Sequence, residues 1–366
     1  MEQECCNKHQ QINPSKHKMS LCPFAKSSLA KKAASSTTTT TTTLAAASSP
    51  TATPKDLSSI RQYIHSLFLD RKHDDGSLAP LMLRYAWHLC GTYDATTNTG
   101  GSNGCTMRFP AEQSDPENAG FSKAHNFIGS VMRKYPDLLS QADVQVLIGT
   151  CAIENMGGPK IKFRHGRQDF TVAEATAKYG QSMCPFGDGK NNGNGSRLPA
   201  ADSGVNPKCP YAEDPELREQ PTIQAIRGTF QRMGFNDTET VLLIVLGHQF
   251  GRCHPETSGY EHPWYVFDPT HWSIYENGLG YLSAYSMGRY EEHISSAGKR
   301  QYNMDLGGGE PFMMLVSDMA LLWDEDYRQI LMHYNRHRRA FKQDCQLAWI
   351  KLIENGVPSE LLQNEL

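Results

Sequence analysis

The chain has 366 residues and a formal net charge of −3, from 36 basic and 39 acidic side chains. Hydrophobic residues make up 39% and charged residues 20%, which excludes a collagen, a coiled coil and a wholly disordered polypeptide. The lack of a basic stripe predicts no nucleic-acid partner. No apolar run approaches the ~18–20 residues of a membrane-spanning helix, so we expect no membrane span.

Ten cysteines are present and, apart from Cys5-Cys6, they are scattered singly. Neither a CxxC pair nor a Cys/His spacing typical of a zinc site occurs. The start of the chain is polar and lacks the apolar core of a secretory signal. We therefore expect reduced thiols inside a cell.

Residues 1–54 form a Ser/Thr/Ala-rich leader with the threonine run Thr37–Thr43 and almost no branched apolar side chain to bury. This composition predicts disorder. No acid occurs between Glu4 and Asp56, which suits an organelle transit segment, but Glu2, Glu4 and the lack of arginine count against it. A transit segment and a tail without a targeting role both stay open.

Residues 55–366 are predicted to form one mostly α-helical domain. Asp56 is placed to cap a first amphipathic helix, and further helical stretches follow at about 80–90, 119–135, 141–155, 221–233, 238–247, 311–323 and 325–354. Alternating strand patterns are scarce. The Gly- and Asn-rich segment within residues 171–220 predicts a surface insertion between segments at about 55–170 and 221–366.

The first candidate group lies on the predicted helix at 80–90. Arg84, Trp87 and His88 are spaced so that they share one helix face. A guanidinium, an indole N–H and an imidazole facing one space can bind a small polar molecule, move its proton and stabilise developing negative charge. The alternative is an ordinary helix with surface Arg84 and His88 beside a core Trp87, and spacing alone favours this plainer interpretation.

The second candidate group consists of His248 and Asp318. His248 follows the apolar run 241–246, so the predicted helix carries it into the interior, where it is a candidate metal or haem ligand. Asp318 lies within the apolar run 314–322, where an unpaired charge would be costly, so the two side chains could pair. Alternatively, His248 is a core histidine bonded to backbone and Asp318 caps the following helix.

Taken together, these segments resemble the class I haem peroxidases over most of residues 56–357. The family's distal motif resembles residues 81–88, and its proximal motif resembles residues 246–254 followed by 258–264. Shorter matching stretches lie at 108–109, 115–120, 157–161, 164–169, 197–199 and 352–356. The resemblance implies a mostly α fold of about ten helices, with one haem b between a distal half at about 55–170 and a proximal half at about 221–366.

The resemblance assigns roles on the distal side by position. His88 matches the distal acid/base, Arg84 the distal arginine and Trp87 the indole over the haem. Asn118 matches the asparagine whose side-chain oxygen holds the distal imidazole in its basic tautomer. We therefore expect His88 to move a proton within hydrogen peroxide while Arg84 stabilises the charge that develops.

On the proximal side, His248 matches the axial iron ligand, Asp318 its carboxylate partner and Trp264 the proximal indole. His254 and Ser258 match residues near the haem propionates. By accepting the N–H of His248, Asp318 would push electron density to the iron and favour a ferryl intermediate. The second oxidising equivalent is then expected on Trp264 as a radical.

The reductant is predicted from positions near the proximal indole. Ascorbate-using relatives carry an arginine where this chain has Thr257, and a proximal cation site with threonines where it has Gln249 and Tyr265. We therefore expect no second proximal cation, and with Tyr260 the pattern resembles the cytochrome c peroxidase branch. The expected partners are hydrogen peroxide and cytochrome c, in an oxidative stress response. The alternative is an ascorbate or small-phenol peroxidase, or a hybrid of both.

A docking surface for a basic donor is less well defined. Asp70, Asp74 and Asp75 could face such a partner, although a solvated charge run is the plainer interpretation. Val266 and Phe267, just past the proximal indole, are candidate contacts by position. We expect a mitochondrial location, with a cytoplasmic one as the alternative.

Three other functional classes are weighed against a monofunctional peroxidase. A bifunctional catalase-peroxidase shares the Arg84, Trp87 and His88 pattern, but that class is about twice as long and has a second, degenerate domain that this chain lacks. A haem-binding sensor without turnover and a helical scaffold without haem are the non-enzymatic alternatives.

Overall fold

The computed structural model describes residues 54–74, 76–179, 197–202, 204, 219–264, 290–305 and 309–363. Within this part the α-helices are α1 Pro54–Leu67, α2 Ala79–Cys90, α3 Pro110–Gln113, α4 Ser122–Lys134, α5 Gln141–Asn155, α6 Val172–Tyr179, α7 Gln220–Arg232, α8 Asp237–His248, α9 Pro255–Ser258, α10 Val316–Trp323, α11 Glu325–Arg336 and α12 Arg338–Glu354. Ten of these described helices have eight residues or more. The expected mostly α fold of about ten helices is confirmed.

The predicted leader and insertion fall largely on residues that are not described. Residues 1–53 and most of 171–220 lie outside the described residues. The described ends of the insertion are α6 and the short segment at 197–202. The proposed division of the chain into a leader, two halves and an insertion therefore stays a prediction.

Five short strands are described, although alternating strand patterns are scarce in the sequence. Strands β1 Arg252–Cys253 and β2 His262–Pro263 pair antiparallel, and a three-stranded antiparallel sheet has the order β3 Glu291–Ile294, β4 Arg300–Met304 and β5 Phe312–Met314. The predicted helix over 311–323 is therefore wrong at its beginning. A short apolar run such as 312–316 does not distinguish a buried strand from a buried helix.

Two other predicted helix boundaries are also corrected. Asp56 lies in the first turn of α1 and not at its N-cap, because the helix begins at Pro54. A proline suits that position, since its missing N–H would have no intrahelical partner there. The predicted helix over 325–354 is two helices, α11 and α12, because His337 has φ −117° and ψ 62°, which are not α-helical angles.

Helix α5 is the centre of the segment expected to be the distal half. It is buried on almost every side, and α1, α2 and α4 pack around it. Gly149 lies where α5 meets α2: a Cβ at this position would be 2.3 Å from the Cβ of Ala86. Only glycine permits so close an approach, which fixes α2 and its side chains against the core.

Helix α8 has the corresponding role in the segment expected to be the proximal half. Its start is fixed by a capping box in which Asn236 and Glu239 each accept the other's backbone N–H. Residues 240–246 are all buried, and α11 and α12 pack against them. The last residue of this buried helix is His248, so packing of the helix fixes where its imidazole lies. Helices α2 and α8 also contact each other directly.

None of the described helices has both the length and the apolar character that a bilayer span needs.

Candidate active site

Helix α2 places Arg84 and His88 on one face, as predicted from their spacing. The guanidinium carbon of Arg84 lies 4.4 Å from the ring centroid of Phe121, and the His88 ring meets the same phenyl ring edge-on at 5.1 Å. The indole of Trp87 stacks on Phe230 at 5.4 Å. Phe121 therefore forms a shared wall for the cation and the imidazole.

The imidazole of His88 is held in one tautomer by Asn118. The side-chain N–H of Asn118 donates to the carbonyl oxygen of Glu112 at 2.8 Å, which turns the amide oxygen toward Nδ1 of His88 at 2.9 Å. Because an amide oxygen only accepts, Nδ1 of His88 carries the hydrogen and Nε2 keeps its lone pair. Nε2 has no hydrogen bond to any described residue.

The surroundings of His88 keep it neutral. Its exposed fraction is 8%, and burial, followed by the positive charge of Arg84, lowers the pKa of His88 well below 6.5. Burial also lowers the pKa of Arg84, although a guanidinium stays protonated in proteins. At neutral pH this side of the site therefore presents a basic nitrogen next to a fixed positive charge.

The 3₁₀ turn Pro116–Asn118 and the residue after it position the side chains of Arg84 and His88. Arg84 donates to the carbonyl oxygen of Ala119 at 3.0 Å and to that of Glu117 at 2.9 Å. Asp115 stabilises the turn by accepting the N–H of Glu117 at 2.9 Å. One short turn thus orients the guanidinium through its backbone and the imidazole through the Asn118 side chain.

On the other side of the site, Asp318 bonds three donors. Nδ1 of His248 donates to one carboxylate oxygen at 2.7 Å, and Nε1 of Trp264 donates to the other at 2.9 Å. The second oxygen also accepts the backbone N–H of Leu315 at 2.8 Å. Asp318 thus pairs with His248 and also accepts the N–H of the residue before α10, whereas the helix that follows it, α11, is capped by Asp324.

The imidazole of His248 has the features of a metal ligand. Because Nδ1 is bonded to Asp318, the lone pair on Nε2 points away from that carboxylate. The side chain is 32% exposed, although the helix before it is buried. Its ring stacks on Trp264 with centroids 4.9 Å apart. An imidazole nitrogen backed by a buried carboxylate is a donor that would hold a haem iron, so the residues present fit this cofactor.

One packing contact and one shared electrostatic neighbour connect the Arg84 side of the site with the His248 side. A Cβ built at Gly251 would lie 3.1 Å from the Cβ of Pro80, so the chain just after α8 touches the start of α2. The Cys253 thiol, whose pKa is raised by burial to about 12, interacts electrostatically with both Asp318 and Arg84. The two clusters therefore border the same region of the molecule.

The remaining predicted site residues lie in and beside α9. His254 bonds through Nε2 to Asp74 at 2.9 Å, which raises the pKa of His254. The hydroxyl of Ser258 donates to the backbone oxygen of His254 at 3.1 Å. These contacts do not test the role near haem propionates, which stays a prediction.

The acids considered for docking have partners within the chain. Asp70 pairs with Lys123 at 3.6 Å, and Asp74 bonds His254. Asp75, Val266 and Phe267 lie outside the described residues, as does Tyr265. At the other position tied to a proximal cation, the Gln249 amide donates to the backbone oxygen of Leu246 at 3.3 Å.

Sequence reasoning assigned no role to Phe121, or to Glu117 and Ala119, although the last two lie in the matching stretch 115–120. Phe121 follows directly after the stretch 118–120 that was assigned, so proximity to that stretch was the available signal. Glu117 and Ala119 act on Arg84 only through backbone oxygens. No side-chain pattern could have indicated them.

The peroxidase family model matches residues 60–337, which is most of the chain. The chain belongs to the peroxidase family. A putative heme-binding peroxidase of Gibberella zeae is 36% identical over 84% of this chain and 80% of its own length. The mitochondrial cytochrome c peroxidases of Aspergillus fumigatus and Neurospora crassa are 37% and 35% identical. These alignments cover 78% and 84% of this chain and 66% and 75% of the relatives. The predicted class I haem peroxidase family, of the cytochrome c peroxidase type, is confirmed.

Proposed function

We propose that this peroxidase takes its electrons singly from ferrous cytochrome c, through Trp264. The broader activity, haem-dependent reduction of hydrogen peroxide to water, follows from the family. The observation that carries the finer proposal is the Asp318 carboxylate, which is bonded to both His248 and Trp264. Haem, when bound, would supply the iron for cleavage of the peroxide bond and the oxidising equivalents that electrons from the donor reduce.

The side of the site around His88 moves the proton. Nε2 of His88 takes a proton from one peroxide oxygen and gives it to the other, so that water leaves in place of hydroxide. Asn118 keeps Nε2 unprotonated until then, because it holds the hydrogen on Nδ1. The fixed cation of Arg84 stabilises the negative charge that develops as the oxygens separate.

The side of the site around His248 stabilises positive charge. Nε2 of His248 would hold the iron, and the buried anion of Asp318 makes that imidazole a stronger electron donor. The same anion accepts the indole N–H of Trp264. A cation on the indole is therefore stabilised by an adjacent negative charge in a poorly solvated site, where the attraction is several-fold stronger than in water.

A protein donor suits this arrangement. Trp264 is partly exposed, so a radical on its indole can be reduced without the donor entering the haem site. Thr257 stands where ascorbate-using relatives are expected to have an arginine. Relatives from two fungi are named mitochondrial cytochrome c peroxidases, and we propose the same donor and compartment for this chain. Ascorbate, a small phenol or both remain the alternative donors, and the cytoplasm the alternative compartment.

The substitution Trp264→Phe tests the role of the indole. We expect the variant to react with peroxide at the rate of the parent protein but to lose oxidation of ferrous cytochrome c, because phenylalanine is much harder to oxidise. Trp323→Phe is the matched control, since Trp323 lies on α10 with Asp318 but packs on Tyr302. Retained cytochrome c oxidation in the Trp264 variant would move the electron-transfer role to another residue.

The donor itself is tested by steady-state rates with ferrous cytochrome c, ascorbate and a small phenol. We expect cytochrome c to give the highest kcat/KM, falling as salt is raised if charge steers the encounter. Turnover with ascorbate that equals or exceeds turnover with cytochrome c would reject the donor while leaving the peroxidase activity intact.

A further inference from the structure

A second cluster of metal-binding side chains lies beside the three-stranded sheet. Glu261, His262 and His293 bring one ligand atom each to within 4.8 Å of one another. Oε1 of Glu261 is 2.9 Å from Nε2 of His293 and 3.8 Å from Nε2 of His262. All three side chains are partly exposed, so water can complete the coordination of an ion between them.

The carboxylate of Glu261 is positioned before any ion binds. Its Oε2 accepts the backbone N–H of Ser296 at 3.1 Å and the Ser296 hydroxyl at 2.8 Å, which leaves Oε1 facing the two imidazoles. The backbone of Glu261 exchanges two hydrogen bonds of 3.0 Å with the Gln301 side chain. Gln301 is the register partner of His293 on the neighbouring strand. One rigid sheet thus holds both ligands.

His262 has the outer partner that metal-bound histidines usually have. Nδ1 of His262 faces Oε1 of Glu310 at 3.2 Å, and Glu310 is in turn paired with Arg252 at 3.1 Å. With the hydrogen on Nδ1, the lone pair on Nε2 of His262 faces the carboxylate of Glu261. A cation between these two atoms would bind both, in place of the proton through which a charged imidazole pairs with a carboxylate.

The backbone at His262 supports the same conclusion. Its φ is 79°, in the left-handed region that glycine adopts freely and other residues rarely adopt. Pairing of β2 with β1 fixes this conformation. Strain of this kind is retained mostly at functional sites, and the imidazole is what a glycine at this position would lack.

A second candidate cluster, His65, Cys151 and Glu154, is less suited to an ion. The same carboxylate oxygen of Glu154 already accepts from Arg61 at 2.9 Å and from the backbone N–H of Ile161 at 2.9 Å. Its negative charge is therefore neutralised by a fixed cation. Cys151 is fully buried in the hydrophobic core, which disfavours its thiolate.

We infer that Glu261, His262 and His293 form a binding site for a divalent transition-metal ion, with Zn²⁺ as the ion that best matches the ligands. Two imidazole nitrogens and one carboxylate oxygen, with water in the fourth position, are a tetrahedral zinc donor set. Glu310 is the outer carboxylate that orients His262. The site is separate from the haem ligand His248, and it does not depend on the identity of the electron donor.

The test is titration of the haem-loaded full-length protein with Zn²⁺ by calorimetry. We expect one saturable site per chain, and loss of that site in His293→Ala and in His262→Gly. His262→Gly removes a ligand while placing glycine at a left-handed position, so its fold is expected to be retained. Glu310→Gln should weaken binding about 10–100-fold, as removal of an outer partner does.

Controls address the other histidines. His65→Ala removes the competing cluster, and His333→Ala breaks the pair of His333 on α11 with His337 just after it, whose rings stack at 4.3 Å. Neither control should change Zn²⁺ affinity at the proposed site. Absence of saturable binding, or binding that survives in both His293→Ala and His262→Gly, would overturn the inference. Each variant's Soret spectrum and unfolding midpoint report whether its fold is intact.

Discussion

The imidazoles of His88 and His248 are both hydrogen-bonded through Nδ1, but their partners differ in charge. Nδ1 of His88 faces the neutral amide of Asn118, and Nδ1 of His248 faces the anionic carboxylate of Asp318. His88 is almost fully buried, whereas His248 is one-third exposed along its side chain. The residue type is the same, so the partner and the burial decide the chemistry.

The difference follows from the charge that each partner brings. A neutral acceptor fixes the His88 tautomer without stabilising its protonated form, and burial with the Arg84 charge lowers the pKa of His88. The result is a free base at neutral pH. The Asp318 anion, in contrast, increases the electron-donating power of His248 toward a metal. One site accepts a proton and the other donates electron density.

The largest expected effect comes from removing the base. His88→Leu should slow the reaction with peroxide by about 10²–10⁴-fold while haem stays bound, because proton transfer loses its acceptor. Stopped-flow mixing with peroxide measures this rate. His125→Leu is the control, since His125 contacts Tyr85 but not Asn118. An unchanged rate in His88→Leu would remove it from the acid/base role.

Neutralising Asp318, the partner of His248, should have a smaller effect on turnover than removing the base at His88. Asp318→Asn removes the anion behind His248, so we expect turnover to fall about 10–100-fold and the iron reduction potential to rise. Spectroelectrochemistry measures the potential. Asp237→Asn, at the start of the helix α8 that carries His248 but paired with Arg227, should leave both quantities unchanged. A potential that does not move in Asp318→Asn would contradict the proposed contrast between the two imidazoles.

The substitution Asn118→Asp would give His88 an anionic partner, as His248 has in Asp318. In the parent protein the lowered pKa keeps His88 neutral, so the peroxide rate should stay level as pH falls from 7.5 through about 6.5 and decline only at lower pH. Asn118→Asp raises the pKa of His88, so the decline should begin at a pH higher by about one unit or more. The pH dependence of the stopped-flow rate measures this shift, and the exposed Asn126→Asp serves as control. Identical profiles would show that Asn118 does not set the protonation of His88.

The smallest effect on activity is expected from packing changes beneath α2. Gly149→Ala should lower the free energy of unfolding by about 1–3 kcal/mol, because its Cβ would overlap Ala86. Gly228→Ala, on α7 with no atom within 4 Å of the new Cβ, should instead stabilise by up to about 1 kcal/mol. Chemical denaturation of both variants measures the difference. Equal effects would mean that α2 and α5 can move apart without loss.

Local patterns in the sequence predicted much of the site. Arg84, Trp87 and His88 required only the helical period, and His248 required only that an all-apolar helix ends at that residue. The strands at 291–314 were missed because short strands gain stability from partners that are distant in sequence. The break at His337 was missed because apolar periodicity continues across it.

The sequence by itself determined the family, the helical character and the identities of the two imidazoles, because residue type and short-range spacing encode these. Only the tertiary structure decided that Asp318, predicted as the partner of His248, also bonds Trp264, and that Arg84 is held by backbone oxygens. It also brought His293 to Glu261. Such contacts join residues far apart in the chain through atoms whose directions are fixed only when the core is packed, so no local pattern specifies them.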